Sequence, residues 1–208
     1  EETVSIELTL SQAGFPITSL NINSSPVVYD VDSDGKKEIF FGTDDNLFYG
    51  FNSYGEQLNG FPFSTNGRIR SSPAIGDVDN DGEVEIVFGN SGGKLYILNH
   101  NGSQQLAYTQ LGFIEGAPVL SDIDNDGDLE IIFGTTTGSG GQIYVIHHNG
   151  VTVAGFPKEV GQMIAGPAVH DIDNDGVVDI VCSTYDKKVW VLEANSGNVK
   201  QGFPFSSE

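Results

Sequence analysis

The stretch Asp122-Ile-Asp-Asn-Asp-Gly-Asp-Leu-Glu130 constrains this chain more than any other. Carboxylates stand at its first, third, fifth and ninth places. Glycine stands sixth, where the chain must turn too sharply for a residue carrying a Cβ. With a backbone carbonyl from the seventh residue, these groups can converge on one point as an all-oxygen cage. Such a cage suits a hard cation, and calcium, which accepts six to eight oxygens at variable geometry, suits it best. Without a cation the carboxylates repel one another at close range.

The same pattern occurs four times, with first aspartates at 30, 77, 122 and 171, spaced 47, 45 and 49 residues apart. The expected side-chain ligands are Asp30, Asp32, Asp34 and Glu38; Asp77, Asp79, Asp81 and Glu85; Asp122, Asp124, Asp126 and Glu130; and Asp171, Asp173, Asp175 and Asp179. Lys36, Glu83, Asp128 and Val177 occupy the seventh places and offer their carbonyls. About four Ca²⁺ sites are therefore expected. An EF-hand is excluded, because its loop ends in an acid at position twelve between helices. Here the acid is ninth, and β-branched and aromatic residues follow it.

The 208 residues carry a formal charge of −20. Sixteen acids lie in the four loops, leaving 13 against nine Lys and Arg, so nearly all the acidity belongs to the presumed ligands. Nucleic acid is a poor partner for a surface with no basic stripe. Membrane insertion is not expected either, since no apolar run is long enough to cross a bilayer. Cys182 is the sole cysteine and reads as a small buried core residue. The chain begins Glu1-Glu2-Thr3-Val4, as a mature or excised segment would. Weak multi-carboxylate calcium sites fill outside the cytosol, which points to an extracellular or cell-surface location.

Between the loops the repeats read alike. A small residue and a proline (Ser25-Pro26, Ser72-Pro73, Ala117-Pro118, Gly166-Pro167) open a short apolar strand that enters the loop. The loop turns back into a second strand (38–42, 85–89, 130–134, 179–183). After a polar turn, a third strand carries an aromatic, read as Phe48, Tyr96, Tyr144 and Trp190. A fourth strand lies near the Gly-Phe-Pro triplets that begin at Gly14, Gly60, Gly155 and Gly202, with Leu111-Gly112-Phe113 a weaker echo. Upstream, Val4–Leu10 alternates with the period of a strand, and Ile17–Ile22 reads as another. Nothing has the periodicity of a long amphipathic helix.

Four antiparallel strands repeated about every 47 residues describe the blades of an all-β propeller. The expected division is 1–23 for strands of an incomplete or preceding blade, then blades at 24–70, 71–115, 116–165 and 166–208. The recurring aromatics fit packing between blades.

Phe41-Gly42, Phe88-Gly89, Phe133-Gly134, the Gly116-Ala117-Pro118 triplet with its Ser-Pro variants, and the four acidic loops together resemble the FG-GAP or VCBS repeat propellers, the class that includes the head domain of integrin α subunits. The resemblance covers Ser24 to Glu208 and departs at Cys182-Ser183, where repeat four lacks Phe-Gly. It implies calcium loops on one rim and partners on the opposite face. Such rings generally hold seven or eight blades, so four repeats suggest a fragment, or a half-ring completed by another copy, rather than a closed four-bladed ring.

No catalytic constellation stands out. His147 and His148 are adjacent and in a strand would face opposite sides; His100 and His170 read as solvated or packing residues. The chain is thus expected not to be an enzyme. It reads as a calcium-binding adhesion or ligand-binding module for a protein or carbohydrate. The alternatives are the non-catalytic propeller of a secreted enzyme, a polysaccharide lyase or a peptidase, or a structural unit that assembles through blade edges. On the face opposite the loops, the partner-binding candidates are Asn23, Asp44, Asp45, Arg70, Asn90, Lys94, Glu115, Tyr185, Asp186 and Lys187.

Overall fold

A computed structural model of the chain describes residues 14–110 and 112–206. Among the described residues sixteen strands form four separate antiparallel sheets, each pairing in sequence order. Blade 1 holds β1 (Val27–Tyr29), β2 (Glu38–Gly42), β3 (Leu47–Phe51) and β4 (Phe63–Ser64). Blade 2 holds β5 (Ala74–Gly76), β6 (Glu85–Gly89), β7 (Lys94–Asn99) and β8 (Gln104–Thr109). Blade 3 holds β9 (Val119–Ser121), β10 (Glu130–Gly134), β11 (Gln142–Ile146) and β12 (Lys158–Glu159). Blade 4 holds β13 (Ala168–His170), β14 (Asp179–Thr184), β15 (Lys188–Glu193) and β16 (Phe205–Ser206).

The first strands touch in succession, β1 to β5 to β9 to β13, and β13 does not return to β1 among the described residues. The four blades therefore form an open arc. Three buried cores lie between the four sheets. Phe40 and Phe48 of blade 1 meet Ile86, Phe88 and Tyr96 of blade 2, with the Phe48 and Phe88 rings stacked 4.0 Å apart. Val87, Leu95 and Ile97 meet Ile131, Phe133 and Tyr144 of blade 3. Ile132, Ile143 and Val145 meet Ile180, Cys182 and Leu192 of blade 4. A sheet buried on both faces cannot alternate apolar with polar residues. That is why β6 and β10 are wholly buried runs. Each large side chain fully removed from water contributes roughly 1.5 to 3 kcal/mol.

The Phe-Gly ending of the second strand has a packing cause. A Cβ on Gly42 would lie 2.2 Å from Ile69 Cγ2, one on Gly89 2.1 Å from Ile114 Cγ2, and one on Gly134 2.6 Å from Met163 Cε. Ile69, Ile114 and Met163 belong to the connections that lead into the next blade, and their N–H groups donate to the carbonyls of Thr43, Asn90 and Thr135. The glycine is thus a seat for the following blade. Blade 4 has exposed Ser183 at this place, and no blade follows it among the described residues.

At the other end of the arc, a Cβ on Gly14 would lie 1.9 Å from Tyr54 O, as one on Gly60 would lie 2.1 Å from Asn101 O. Gly14-Phe15-Pro16 therefore docks on blade 1 as Gly60-Phe61-Pro62 docks on blade 2, in the place of a preceding blade's last segment.

Two sequence expectations are corrected. Residues 17–22 do not form a strand; a strand needs a ladder partner, and the described residues give this segment only one bond, from Asp44 N–H to Asn21 O. The expected strand Val4–Leu10 lies outside the described residues. In the third strands, Tyr49, and not Phe48, is the counterpart of Tyr96, Tyr144 and Trp190. Tyr49 pairs with Phe41 as Tyr96 pairs with Phe88, Tyr144 with Phe133 and Trp190 with Cys182. A one-residue slip in a strand exchanges its faces, so Phe48 points toward blade 2, while Tyr49 stacks with Phe41 and Phe51 on the opposite face.

Candidate metal centres

Each acidic loop joins the first and second strands of its blade, and all four are built alike. The second residue's N–H donates to the ninth acid: Val31 to Glu38 at 3.1 Å, Val78 to Glu85 at 2.9 Å, Ile123 to Glu130 at 3.0 Å and Ile172 to Asp179 at 3.2 Å. The glycine N–H donates to the first aspartate, as Gly82 does to Asp77 at 2.9 Å. The seventh N–H donates to the fifth aspartate, as Glu83 does to Asp81 at 2.8 Å. Every glycine has a positive φ, between 86° and 99°, which a Cβ would oppose. The backbone thereby holds the first, fifth and ninth carboxylates in place; the first aspartate accepts through one oxygen in loop 1 and through both in the other three loops.

Ligand atoms of Asp30, Asp32 and Glu38 lie within 4.8 Å of one another, as do those of Asp77, Asp79 and Glu85, of Asp122, Asp124 and Asp126, and of Asp171, Asp173 and Asp179. The ninth acids are buried in every loop. Burial, followed by the charges of neighbouring aspartates, pushes the Glu85 carboxyl up to about 7. Burial also raises Glu38 and Glu130. Asp30 Oδ1 and Asp79 Oδ1 are buried and have no hydrogen-bond partner among the described residues, and in loop 4 Asp179 Oδ1 likewise accepts no hydrogen bond but lies 3.1 Å from the Lys200 ammonium. A buried anionic oxygen without a partner is costly, and a divalent cation supplies what is missing. The donor sets of loops 1, 2 and 3 fit calcium, and in the first two an orphaned oxygen adds to the fit.

The loops differ in the groups that the rest of the chain brings to them. His147 Nδ1 lies 2.9 Å from Glu130 Oε1, and it shares a donor cluster with Asp124 and Glu130. His148 Nδ1 lies 2.9 Å from Asp128 Oδ2, and His100 Nδ1 lies 3.4 Å from Glu83 Oε2. Three histidines read from sequence as solvated or packing residues thus sit against loop acids. The signal was register: His147 follows β11, opposite the start of β10 where Glu130 stands. In loop 4, Lys200 Nζ reaches Asp173, Asp175 and Asp179. Loop 1 has only an exposed pair, Lys36 with Asp34 at 3.4 Å. At the seventh places Lys36, Glu83 and Asp128 reach Asp34, His100 and His148 with their side chains, and Val177 contributes its N–H to Asp175.

At the opposite end of the second strands the structure gathers some predicted partner residues. Arg70 makes a two-pronged bond to Asp44, at 2.9 and 3.1 Å, and Asn23 donates to the same carboxylate at 2.6 Å. Glu115 lies 4.0 Å from Arg70. The arginine holds the Asp44 carboxyl below the usual range. Arg68, Arg70, Ser91, Phe113 and Glu115 line a depression of about 290 Å³. Arg68 and half-exposed Phe113 were missed from sequence, although Arg68 and Arg70 are the chain's only arginines. Tyr185, 75% exposed, and Asp186 line a second depression of about 300 Å³ with Gly138, Ser139, Gly161 and Gln162. Lys187 is exposed in the same turn and Asp45 in its counterpart in blade 1. Lys94 opens β7 three residues beyond Ser91 and lines neither depression. Asn90 is corrected: it is fully buried, and its amide is engaged by Asn66, Gly92 and Lys94.

Fold and loops together define the class, a β-propeller arc whose every blade carries an acidic cation-type loop on one rim. The FG-GAP-like repeat model matches residues 30–88, 77–133 and 122–182, and the chain belongs to that family. Solved structures agree in fold. BBS1N, solved in complex with ARL6DN, is 14% identical with a TM-score of 0.59, over 91% of this chain and 57% of that one. BamB from Moraxella catarrhalis is 14% identical with a TM-score of 0.58, over 78% of this chain and 47% of that one. The PilY1 C-terminal domain from Pseudomonas aeruginosa is 20% identical with a TM-score of 0.56, over 82% and 41%. The chain thus spans about half the length of these structures. No curated protein matches it in sequence. No helix of the described residues is long and apolar enough to cross a membrane.

Proposed function

We propose that this domain is a calcium-stabilised recognition module acting outside the cytosol, with calcium on the loop rim and a protein or carbohydrate ligand on the opposite face. The observation that carries the reading is the division of labour between the two ends of each second strand. At one end, carboxylates are tied into loops that leave Asp30 Oδ1 and Asp79 Oδ1 unpartnered. At the other, Arg68, Phe113 and Tyr185 stand exposed around shallow depressions with no comparable structural duty. Arginine and aromatic residues are the side chains that most often anchor interfaces. BBS1N, of the same fold, is solved with a protein bound, which supports a protein ligand. Binding without catalysis fits the site, because the acids are committed to loop backbone and cation. Extracellular calcium levels suit cages of this kind, whose dissociation constants run to roughly 0.1 to 1 mM.

The test is binding of the full chain to arrays of surface proteins and polysaccharides in calcium. A partner found there should be lost by the triple variant Arg68→Ala, Phe113→Ala, Tyr185→Ala while the calcium-dependent melting temperature stays nearly unchanged. Undiminished binding by that variant, with loss instead in folded rim variants, overturns the assignment of faces.

A further inference from the structure

We infer that the fourth loop is neutralised from within. The Lys200 ammonium is a tethered cation in the cage of Asp173, Asp175 and Asp179, so the chain takes up three calcium ions, at 30–38, 77–85 and 122–130, under conditions that fill those loops. The inference rests on the calcium reading of the other three.

Lys200 Nζ donates to Asp173 Oδ2 at 2.7 Å and to Asp175 Oδ2 at 3.2 Å, and it forms an ion pair with Asp179 Oδ1 at 3.1 Å without a hydrogen bond. These are the third, fifth and ninth acids of the loop, three of its four expected side-chain ligands. The lysine side chain is only 12% exposed, and that of Asp179 is wholly buried. A buried carboxylate demands a compensating positive charge, and here a side chain supplies it. A divalent ion entering this loop must expel the ammonium or lie beside it against like-charge repulsion.

The arrangement is peculiar to blade 4. Lys200 N–H donates to Val191 O, on the backbone position that Leu58 fills toward Gly50 O and Val153 toward Val145 O. Apolar Leu58 and Val153 cannot reach out to an acid with a charge. In blade 2 the strand pairing is irregular near this place, and Gln105 offers one neutral amide to Asp79 at 2.6 Å. Asp79 Oδ1 nevertheless remains without a partner. The four loops are nearly identical in sequence, and the difference comes from a residue about 20 positions downstream of the last one.

Calcium counted per chain by native mass spectrometry and titration calorimetry tests this on the full chain. Wild type should bind three ions, Lys200→Gln four, Asp79→Asn two, and Asp173→Asn still three. Should Lys200→Gln fail to fold, the two aspartate variants decide on their own, because only one of them is expected to lose an ion. Four ions in wild type, falling to three in Asp173→Asn, overturns the inference and leaves the calcium reading intact. No calcium in any variant removes both.

Discussion

Replacing Gly89 by alanine should destabilise the chain although one methyl is all that is added. A Cβ there would lie 2.1 Å from Ile114 Cγ2 and 2.4 Å from Ile114 Cβ. Ile114 is fully buried, and its N–H donates to Asn90 O at 3.1 Å, so it is pinned one residue beyond the glycine. The β-branched side chain has little rotamer freedom with which to retreat. Overpacking of this kind costs about 1 to 3 kcal/mol. With an unfolding entropy of roughly 2.1 cal/mol/K per residue over 208 residues, the melting temperature should fall by about 2 to 7 °C. Gly138 is the control, since it is exposed and a Cβ there would meet nothing within 4 Å; Gly138→Ala should stay within ~0.5 kcal/mol of wild type. Ile114→Ala should cost less in the Gly89→Ala background than alone, because the truncation removes part of the clash. Calorimetric or circular-dichroism melting in saturating calcium measures all four variants. A Gly89→Ala protein melting with wild type, or strict additivity with Ile114→Ala, refutes the account of Phe-Gly as the seat of the next blade.

Two further outcomes concern the loops. With sites of about 0.1 mM and ~1 mM free calcium, each filled site adds ~1.4 kcal/mol, so chelation of three should lower the melting temperature by roughly 10 °C; an unchanged transition rejects this. In chelator, stability should fall as pH rises from 5 to 8, because burial holds Glu38, Glu85 and Glu130 above their unfolded values, Glu85 at about 7. A raised acid stabilises the fold below its unfolded pKa and loses that contribution as pH climbs through its folded one. The opposite slope in a pH series of melts would contradict it. In loop 3, Asp124→Ala should lose one calcium, whereas Asp128→Ala, at the carbonyl position, should keep it and lose only the contact with His148; equal loss in both would place the loop in a different register.

The sequence by itself determined the blade. The 45- to 49-residue spacing, the acid alternation and the turn residues are local instructions, and a strand pair with its connecting loop needs little more than these to form. Fully buried runs such as Glu130–Gly134 were legible for the same reason: sheets covered on both faces leave no alternation. Register and neighbourhood were not legible. Phe48 and Tyr49 are both aromatic, and only the pairing of Phe41 with Tyr49 decides which faces blade 2. Asn90 looks like a solvated turn residue until the loop wraps its amide. The tertiary structure also decided which loops differ. Four nearly identical acid patterns cannot show that Lys200 enters one cage and His147 stands at another, because those groups arrive from the segments that follow β15 and β11. A local pattern fixes which donors a loop owns, and packing fixes which charges the rest of the chain brings to them.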